Sequence, residues 1–197
     1  MQLQKEFYTR KDVVQVARDL IGKVLCTSID GNYSSGMITE TEAYAGIGDR
    51  ASHAWNARRT ARTEIMYRIG GTAYVYLCYG IHSLFNVVTS GVDDPQAVLI
   101  RSIHPLEGLD IMSYRTGRNQ IGLQEGKGPG KVSQLLGIHY SHSGLSLVDD
   151  PVDQAKPQIW IEERKTGIDN MLLKTGPRVG VDYAGKDALL PYRFMLE

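Results

Sequence analysis

The amino-terminal part of the chain changes from a helical to an alternating spacing of apolar residues. Residues 13–21 place their apolar side chains on one face of a helix, which Thr9 precedes. Residues 23–29 and 36–44 then have the composition of strands, and residues 37–46 alternate. This change predicts one helix followed by two strands, which are joined by a turn at residues 30–32.

The rest of the chain repeats short apolar segments between turn residues. They predict, in order, a helix at 60–67, strands at 74–78, 84–89 and 97–103, a helix from Pro105 to about Tyr114, a loop at 117–130, a helix at 131–136, and strands at 158–162, 177–181 and 192–196. Neither an internal repeat nor a linker interrupts this order. The pattern therefore predicts a single domain, residues 1–197, of class α/β (α+β) with a largely antiparallel sheet.

The composition is that of a soluble globular protein, with 42% hydrophobic and 22% charged residues. The chain has no run of about 18 apolar residues, and its first residues, MQLQKEFYTRKD, are polar, so we expect neither a membrane-spanning helix nor an export signal. The two cysteines, Cys26 and Cys78, are expected to be free thiols in a reducing cytoplasm, with Cys78 packing as a small apolar side chain.

Basic residues are concentrated in places although the chain carries 22 basic and 22 acidic residues. The segment 50–68 contains five arginines against a single glutamate, and a second basic segment spans 101–131. Such local patches suit a polyanion, since they and not the net charge form the contacts to phosphate. The acidic cluster at 149–153 is expected to face away from such a ligand. Two solvated loops are the alternative interpretation.

Two carboxylates lie two residues apart on the strand predicted at 36–44. Strict alternation places Ile38, Glu40, Glu42 and Tyr44 on one face, with the two glutamate Cα atoms about 7 Å apart. That spacing suits a pair of glycosidase carboxylates. It suits equally a structural arrangement in which Glu40 pairs with an arginine. Glu42 is the stronger candidate for chemistry because Tyr44 flanks it near the end of the strand.

A series of tyrosines follows on the next predicted strand. Alternation places Tyr74, Tyr76 and Cys78 on one face and Tyr79 on the other, and the glycine after Tyr79 favours presentation of that side chain. Stacking of a nucleobase on an aromatic ring contributes about 1–3 kcal/mol, although tyrosines in sheets more often pack in the core. His53 lies on the loop that leaves Tyr44. A flat ligand beside a water-activating carboxylate is the chemistry that these residues favour.

Two further motifs are weaker. The segment GKGPGK at 126–131 lacks the spacing of a Walker motif, but it could direct a helix N-terminus at one phosphate. His139 and His142 have a spacing that metal ligands use, but no cysteine or carboxylate accompanies them, so we expect a loop and no metal.

Six ordered motifs give the chain a family resemblance: ITETEAYAG, RTARTEIMY, TAYVYLCYGIHSLFNV, AVLIRSIHPLEG, GPGK and RVGVDYAG. Together they resemble the 3-methyladenine (alkyladenine) DNA glycosylases of mammals and many bacteria, from about Ala17 to Phe194. The resemblance implies a curved sheet surrounded by helices, as in the C-terminal domain of methionyl-tRNA formyltransferase. It also implies a monofunctional, cofactor-free and monomeric enzyme that acts on damaged purines in double-stranded DNA.

The resemblance also implies roles for eight residues. Glu42 matches the general base that deprotonates the attacking water, and Arg101 matches a residue that helps to hold this water, with the backbone of Val179 nearby. The other five match residues that contact the flipped base or the duplex: Tyr44, His53 and Tyr76 as walls of the base pocket, Asn86 as the group that disfavours guanine, and Tyr79 as the wedge that fills the gap in the duplex.

Ile81 and His82, beside the wedge, depart from the mammalian pattern, and the compact chain is that of a bacterial member. Two other classes of function remain open at this point. A non-catalytic nucleic-acid-binding module on the same scaffold would not need Glu42 and Arg101 together. A carbohydrate hydrolase using both glutamates would need stacking tryptophans, and the chain has only Trp55 and Trp160, which are placed outside the strands.

Overall fold

The computed structural model describes residues 1–148, 156–164 and 173–197, so the acidic cluster at 149–153 lies outside the described residues. One sheet of eight strands forms the centre of the fold. The strands are β1 Val24–Ile29, β2 Asn32–Tyr44, β3 Ala73–Cys78, β4 His82–Thr89, β5 Gln96–Glu107, β6 Gln158–Glu162, β7 Leu173–Gly176 and β8 Arg193–Leu196. Their order across the sheet is β3-β4-β5-β2-β1-β6, and β8 pairs with both β2 and β7.

The described residues form four α-helices: α1 Lys5–Tyr8, α2 Val13–Asp19, α3 Leu109–Thr116 and α4 Pro129–Leu136. Helix α2 begins after Asp12, whose carboxylate accepts the Gln15 N–H at 3.0 Å as an N-cap. The main hydrophobic core contains buried residues of α2, α3 and α4 together with one face of the sheet. Every strand pair of the sheet is antiparallel, so the expected mixed α/β fold with a curled antiparallel sheet is confirmed.

Strand β2 exchanges one of its neighbours halfway along its length. Its first half pairs with β1, whereas Glu40, Thr41 and Glu42 pair with β8, and β5 lies along its other edge from Ser35 to Tyr44. Pairing with β5 is irregular between Ile38 and Thr41. Ile38 and Ala43 both belong to the main core although they are five residues apart. Strict alternation is therefore broken, and the prediction that Ile38 shares the face of Glu42 was wrong.

Other differences from the predicted elements have local causes. Pro105 does not open a helix but lies near the end of β5, where a strand tolerates a missing N–H, and α3 begins after Gly108. Residues 177–181, predicted as a strand, form a loop because Gly180 has a φ of +73°. The helix predicted at 60–67 is a short 3₁₀ turn over Glu64–Tyr67. In these described parts of the chain, no helix is long and apolar enough to cross a membrane.

Candidate active site

A cavity of about 250 Å³ opens between the sheet and the loops that follow β2 and β7. Seven of the eight predicted site residues line it: Tyr44, His53, Tyr76, Tyr79, Asn86, Arg101 and Val179. The eighth, Glu42, lies behind this lining and is completely buried. The structure therefore brings all eight residues together, from five separate segments of the chain.

The Glu42 carboxylate is held by two hydrogen bonds and one ion pair. Its Oε1 atom accepts the backbone N–H of Val179 at 2.7 Å and lies 3.3 Å from Nε of Arg101. Its Oε2 atom accepts the hydroxyl of Tyr44 at 2.8 Å. These contacts come from a loop, from the neighbouring strand β5 and from β2 itself, so they fix the carboxylate from three directions.

Glu40 has a different environment from Glu42. Its Oε1 atom accepts Nε of Arg101 at 3.1 Å and Nε of Arg193 at 2.6 Å. Glu40 is thus the counter-ion of two arginines, which agrees with the expectation that it pairs with an arginine. Because both cations share this one carboxylate oxygen, Glu40 is occupied in a structural ion-pair cluster and orients Arg101 beside Glu42.

Burial raises the pKa of the Glu42 carboxyl above its ordinary value, because a low-dielectric environment penalises the charged form. Arg101, the Val179 N–H and the Tyr44 hydroxyl oppose this effect, because each of them stabilises the carboxylate. A carboxylate with a raised pKa is a stronger base than one in water. This environment suits a general base.

Aromatic rings form one wall of the cavity. The ring of His53 stands edge-on to that of Tyr76, with centroids 4.7 Å apart, and Tyr74 lies 5.5 Å from Tyr76 at a tilt of 33°. The guanidinium of Arg62 lies 4.6 Å from the ring centroid of Tyr76. Tyr74, Tyr76 and Cys78 all line the cavity, so the shared face predicted for them is confirmed. Tyr79 lines the cavity as well, although alternation placed it on the other face, because β3 ends at Cys78 and Tyr79 lies in the turn.

Arg62 and Tyr74 hold the ring of His53. The Arg62 guanidinium lies 2.9 Å from Nε2 and 3.3 Å from Nδ1, and Nδ1 lies 2.9 Å from the Tyr74 hydroxyl oxygen. Because a guanidinium can only donate, it suits a neutral imidazole, which keeps one nitrogen as an acceptor. Burial, followed by the charges of Arg62 and Arg58, lowers the pKa of His53 to about 4. His53 is therefore a neutral wall of the cavity at pH 7.

We expect the Arg62→Ala variant to raise the pKa of His53 from about 4 toward its ordinary value of 6.5, because one opposing charge is removed while burial remains. In the wild type, His53 binds a proton at a higher pH in the unfolded chain than in the folded protein. The free energy of unfolding should therefore fall as the pH drops from about 6.5 to about 4. NMR titration of the imidazole signals and unfolding at several pH values measure the two effects.

The matched control for this titration is Arg59→Ala. Arg59 lies in the same loop but pairs with Glu64 and Asp93, at 2.8 Å in each case, so its removal should leave the pKa of His53 unchanged. A wild-type His53 that titrates near 6.5 would contradict the buried, neutral imidazole.

Asn86 has a fixed orientation at the inner wall of the cavity. Its side-chain N–H groups donate to the backbone carbonyls of Tyr74 and Leu84, at 3.1 and 3.2 Å. Only 4% of the residue is exposed. Because its nitrogen is committed to the backbone, Asn86 presents its remaining surface to the cavity as a rigid group.

Tyr79 stands at the tip of the β3–β4 hairpin and is 93% exposed. Tyr79 and Gly80 have φ values of +52° and +74°, and the Ile81 N–H donates to the Cys78 carbonyl at 3.2 Å. Positive φ at both central residues defines a type I′ turn, which Gly80 adopts freely and Tyr79 adopts at some cost. The turn thus holds a large ring in solvent at the edge of the cavity.

A buried ion pair supports the site, and sequence reasoning missed it. Arg178 lies at the start of the RVGV motif and makes a forked contact with Asp49, which is 129 residues away. The guanidinium also lies 4.9 Å from the ring centroid of Tyr44. Only the position of Arg178 directly before Val179 could have indicated a role.

The weaker motifs do not join the site as ligands. The Nδ1 atom of His142 accepts the backbone N–H of His139 at 3.1 Å, which is a local turn contact. Among the described residues, no group of three His, Cys, Asp or Glu side chains could hold a metal ion. Helix α4 begins within GKGPGK, near the tip of the β3–β4 hairpin.

The arrangement as a whole joins a buried carboxylate, a slot lined by flat rings and an exposed tyrosine at its mouth. Such a site suits a hydrolase whose substrate carries a planar ring that must leave a stack before it reacts. Arg62 of the basic segment lies against two rings of this slot, those of Tyr76 and His53. These features define the class of enzymes that remove bases from nucleic acid.

Comparison with known proteins names the family within that class. Residues 6–197 match the family model of methylpurine-DNA glycosylase (MPG), and the chain belongs to this family. It is thus an enzyme of DNA repair, a DNA glycosylase that hydrolyses the N-glycosyl bonds of alkylated purines.

Relatives that bear the provisional name 3-methyladenine DNA glycosylase are similar over nearly their whole length. One from Chlamydia felis is 45% identical over 98% of this chain and 95% of its own. One from Desulfitobacterium hafniense is 40% identical over 99% of this chain and 95% of its own. One from Bacillus thuringiensis is 39% identical over 100% of this chain and 96% of its own.

Proposed function

We propose that this chain is a monofunctional glycosylase that flips alkylated or deaminated purines out of double-stranded DNA and hydrolyses their N-glycosidic bond, which starts base excision repair. The proposed lesions are 3-methyladenine, 7-methylguanine, hypoxanthine and ethenoadenine. The observation that carries the proposal is the buried Glu42 carboxylate, fixed by the Val179 N–H, at the wall of a cavity lined by aromatic rings.

Glu42 acts as the general base in this proposal. An ionised carboxylate offers about four acceptor sites; the Val179 N–H and the Tyr44 hydroxyl take two of them, and Arg101 lies 3.3 Å from Oε1 as an ion-pair partner. A remaining site accepts a hydrogen bond from the attacking water, and Glu42 takes the proton as the water oxygen bonds to C1′. The glycosidic electron pair leaves with the purine. Because the nucleophile is water and not a lysine amine, an abasic site remains and the strand stays intact.

The aromatic wall selects the base. Alkylation at N3 or N7 places a positive charge on the purine, and the rings of Tyr44 and Tyr76 attract a cation by about 0.5–2 kcal/mol. The same charge makes the purine a good leaving group, because it departs as a neutral molecule. The rigid Asn86 side chain crowds the exocyclic amine of guanine, which disfavours the normal base.

Tyr79 enters the duplex at the position that the flipped nucleotide leaves. Extrusion costs a few kcal/mol of stacking and pairing, and less for a damaged base, so part of the selectivity precedes the chemistry. A tyrosine ring in the vacated stack offsets this cost and blocks return of the base. The arginines at the mouth of the cavity contact the phosphates.

Both alternative functions are less well supported. A binding module would need neither the buried Glu42 nor the three groups that hold it. For a carbohydrate hydrolase, Glu40 would have to act as an acid, but Arg101 and Arg193 already hold it. Trp160 lies in β6, not outside the strands as expected, but β6 is at the opposite edge of the main sheet from β3.

The remaining expectations complete the proposal. We propose that residues 1–197 form one domain like the C-terminal domain of methionyl-tRNA formyltransferase. We also propose that the enzyme works as a monomer, without a cofactor, in the cytoplasm at the bacterial nucleoid.

The test is excision from a 5′-labelled duplex that contains one hypoxanthine or one 1,N6-ethenoadenine, with methylated genomic DNA as a second substrate. We expect strand cleavage only after hot alkali, since an abasic site is alkali-labile. Cleavage without alkali would contradict the monofunctional mechanism. Absence of product from all three substrates would favour the binding module.

A further inference from the structure

The buried pair of Arg178 and Asp49 is built for rigidity. Nη1 and Nη2 of the arginine contact the two carboxylate oxygens at 2.5 and 2.8 Å, and the side chains are 0% and 2% exposed. Two parallel contacts between a planar fork and a carboxylate fix orientation as well as distance. Such a pair specifies one arrangement of the segments that carry it.

The pair joins three segments around the cavity. Arg178 donates to the carbonyl of Ala43 at the end of β2 and to that of Asp187 in the 3₁₀ segment Asp182–Leu189, at 2.9 and 3.0 Å. Asp49 accepts the backbone N–H groups of Ala45 and Ala51, each at 3.0 Å. The loop after β7 is thereby fastened to the strand that carries Glu42.

Val179 follows Arg178 directly, and its own surroundings hold it loosely. Val179 is 46% exposed, and a Cβ atom built on Gly180 would meet no atom within 4 Å. The buried residues on either side, Arg178 and Val181, must therefore set the direction of the Val179 N–H. That N–H lies 2.7 Å from Oε1 of Glu42.

We propose that Arg178 and Asp49 are positioning residues, which hold the Val179 N–H against the Glu42 carboxylate and so keep this carboxylate ready to accept the proton of the attacking water. The inference rests on the proposed function, since it assigns to Glu42 the role of general base. Neither residue needs to touch the substrate, because both act through the backbone of the loop.

A variant at Asp49 could act on Glu42 through the loss of the Val179 N–H bond or through the loss of the Asp49 charge, and the charged and titratable groups around Glu42 distinguish these two effects. Glu40 and Tyr44 face it from β2, Arg101 from β5, and Arg178 and Tyr183 from the segments after β7. Loss of the Val179 N–H bond raises the pKa of Glu42, because this bond stabilises the carboxylate. Removal of the Asp49 charge alone lowers it, because the Arg178 cation, which interacts with both carboxylates, is then no longer neutralised by Asp49. The two effects thus have opposite signs.

The experiment measures single-turnover excision of hypoxanthine from a duplex as a function of pH for the wild type, Asp49→Asn and Arg178→Lys. For both variants we expect the acidic limb of the pH–rate profile to shift toward higher pH by about one unit. At any pH on the acidic side of the limb, this shift lowers the rate about tenfold. Affinity for the lesion duplex should stay within about threefold of the wild type, because the walls of the cavity remain.

Asp19→Asn is the matched control, since the same substitution breaks the ion pair of Asp19, at the end of α2, with Arg10. It should leave the limb in place. A limb that stays in place or moves down in Asp49→Asn would overturn the inference, as would failure of both variants to fold, because the pair would then serve stability alone. A wild type that excises nothing would instead overturn the proposed function.

Discussion

Replacing Glu42 by glutamine is expected to lower the single-turnover rate of lesion excision by about 10²–10⁴-fold, which is the usual contribution of a general base. Glutamine has the same shape and retains an oxygen that can accept the Val179 N–H, but it cannot take a proton from water. Affinity for lesion DNA should therefore remain close to that of the wild type. Excision kinetics and fluorescence anisotropy with the same duplex measure the two quantities separately.

Glu40→Gln is the matched control for this variant, because Glu40 lies two residues away on the same strand. It pairs with Arg101 and Arg193, so its loss should disturb the orientation of Arg101 without removing the proton acceptor. We expect a smaller loss of rate than for Glu42→Gln. Near-normal turnover by Glu42→Gln would exclude Glu42 as the general base. A larger loss of rate in Glu40→Gln than in Glu42→Gln would indicate that Glu40 is the general base instead.

Replacing Tyr79 by serine is expected to weaken binding of a lesion duplex by about 1–3 kcal/mol, the scale of a lost stacking contact. The corresponding increase in Kd is about 5- to 150-fold. The physical reason is that serine cannot fill the space that the flipped nucleotide leaves. Because Tyr79 is 93% exposed, the substitution should leave the fold intact, so titration of the labelled duplex reports binding alone.

Tyr114→Ser on helix α3 provides the control for an exposed tyrosine, since Tyr114 is 84% exposed and lies outside the cavity lining. It should leave Kd unchanged. Single-stranded DNA with the same lesion has no gap to fill, so the effect of Tyr79→Ser should shrink on that substrate. An unchanged Kd for Tyr79→Ser on the duplex would show that Tyr79 is not the wedge.

Local spacing was enough to predict much of the cavity wall. Alternation within β3 placed Tyr74 and Tyr76 on one face, and both line the cavity. The same rule failed on β2, where Ile38 faces the core. The alternation is broken where the pairing of β2 with β5 is irregular and the other neighbour changes from β1 to β8, and neither pairing is visible in the sequence of β2. Positions of tyrosines followed from sequence spacing, but the break in the strand did not.

Contacts between distant segments could not be predicted in this way. The segment 177–181 contains alternating valines, which are typical of a strand, but the left-handed Gly180 and the buried pair of Arg178 with Asp49 make it a loop. Likewise, the arginines of segment 50–68 read as one basic patch. Arg59 is in fact neutralised by Glu64 and Asp93, whereas Arg62 lies over Tyr76. Such pairings depend on tertiary structure, which sequence spacing does not encode.

The contacts of the two glutamates span almost the whole chain, and this has a consequence for synthesis on the ribosome. Glu42 receives its backbone donor from Val179, and Glu40 receives one of its cations from Arg193, which are separated from them by 137 and 153 residues. The glutamates are therefore translated early and their partners late. A nascent or prematurely terminated chain would lack the partners that hold Glu42 and Glu40, so we expect glycosylase activity to begin only when synthesis is almost finished.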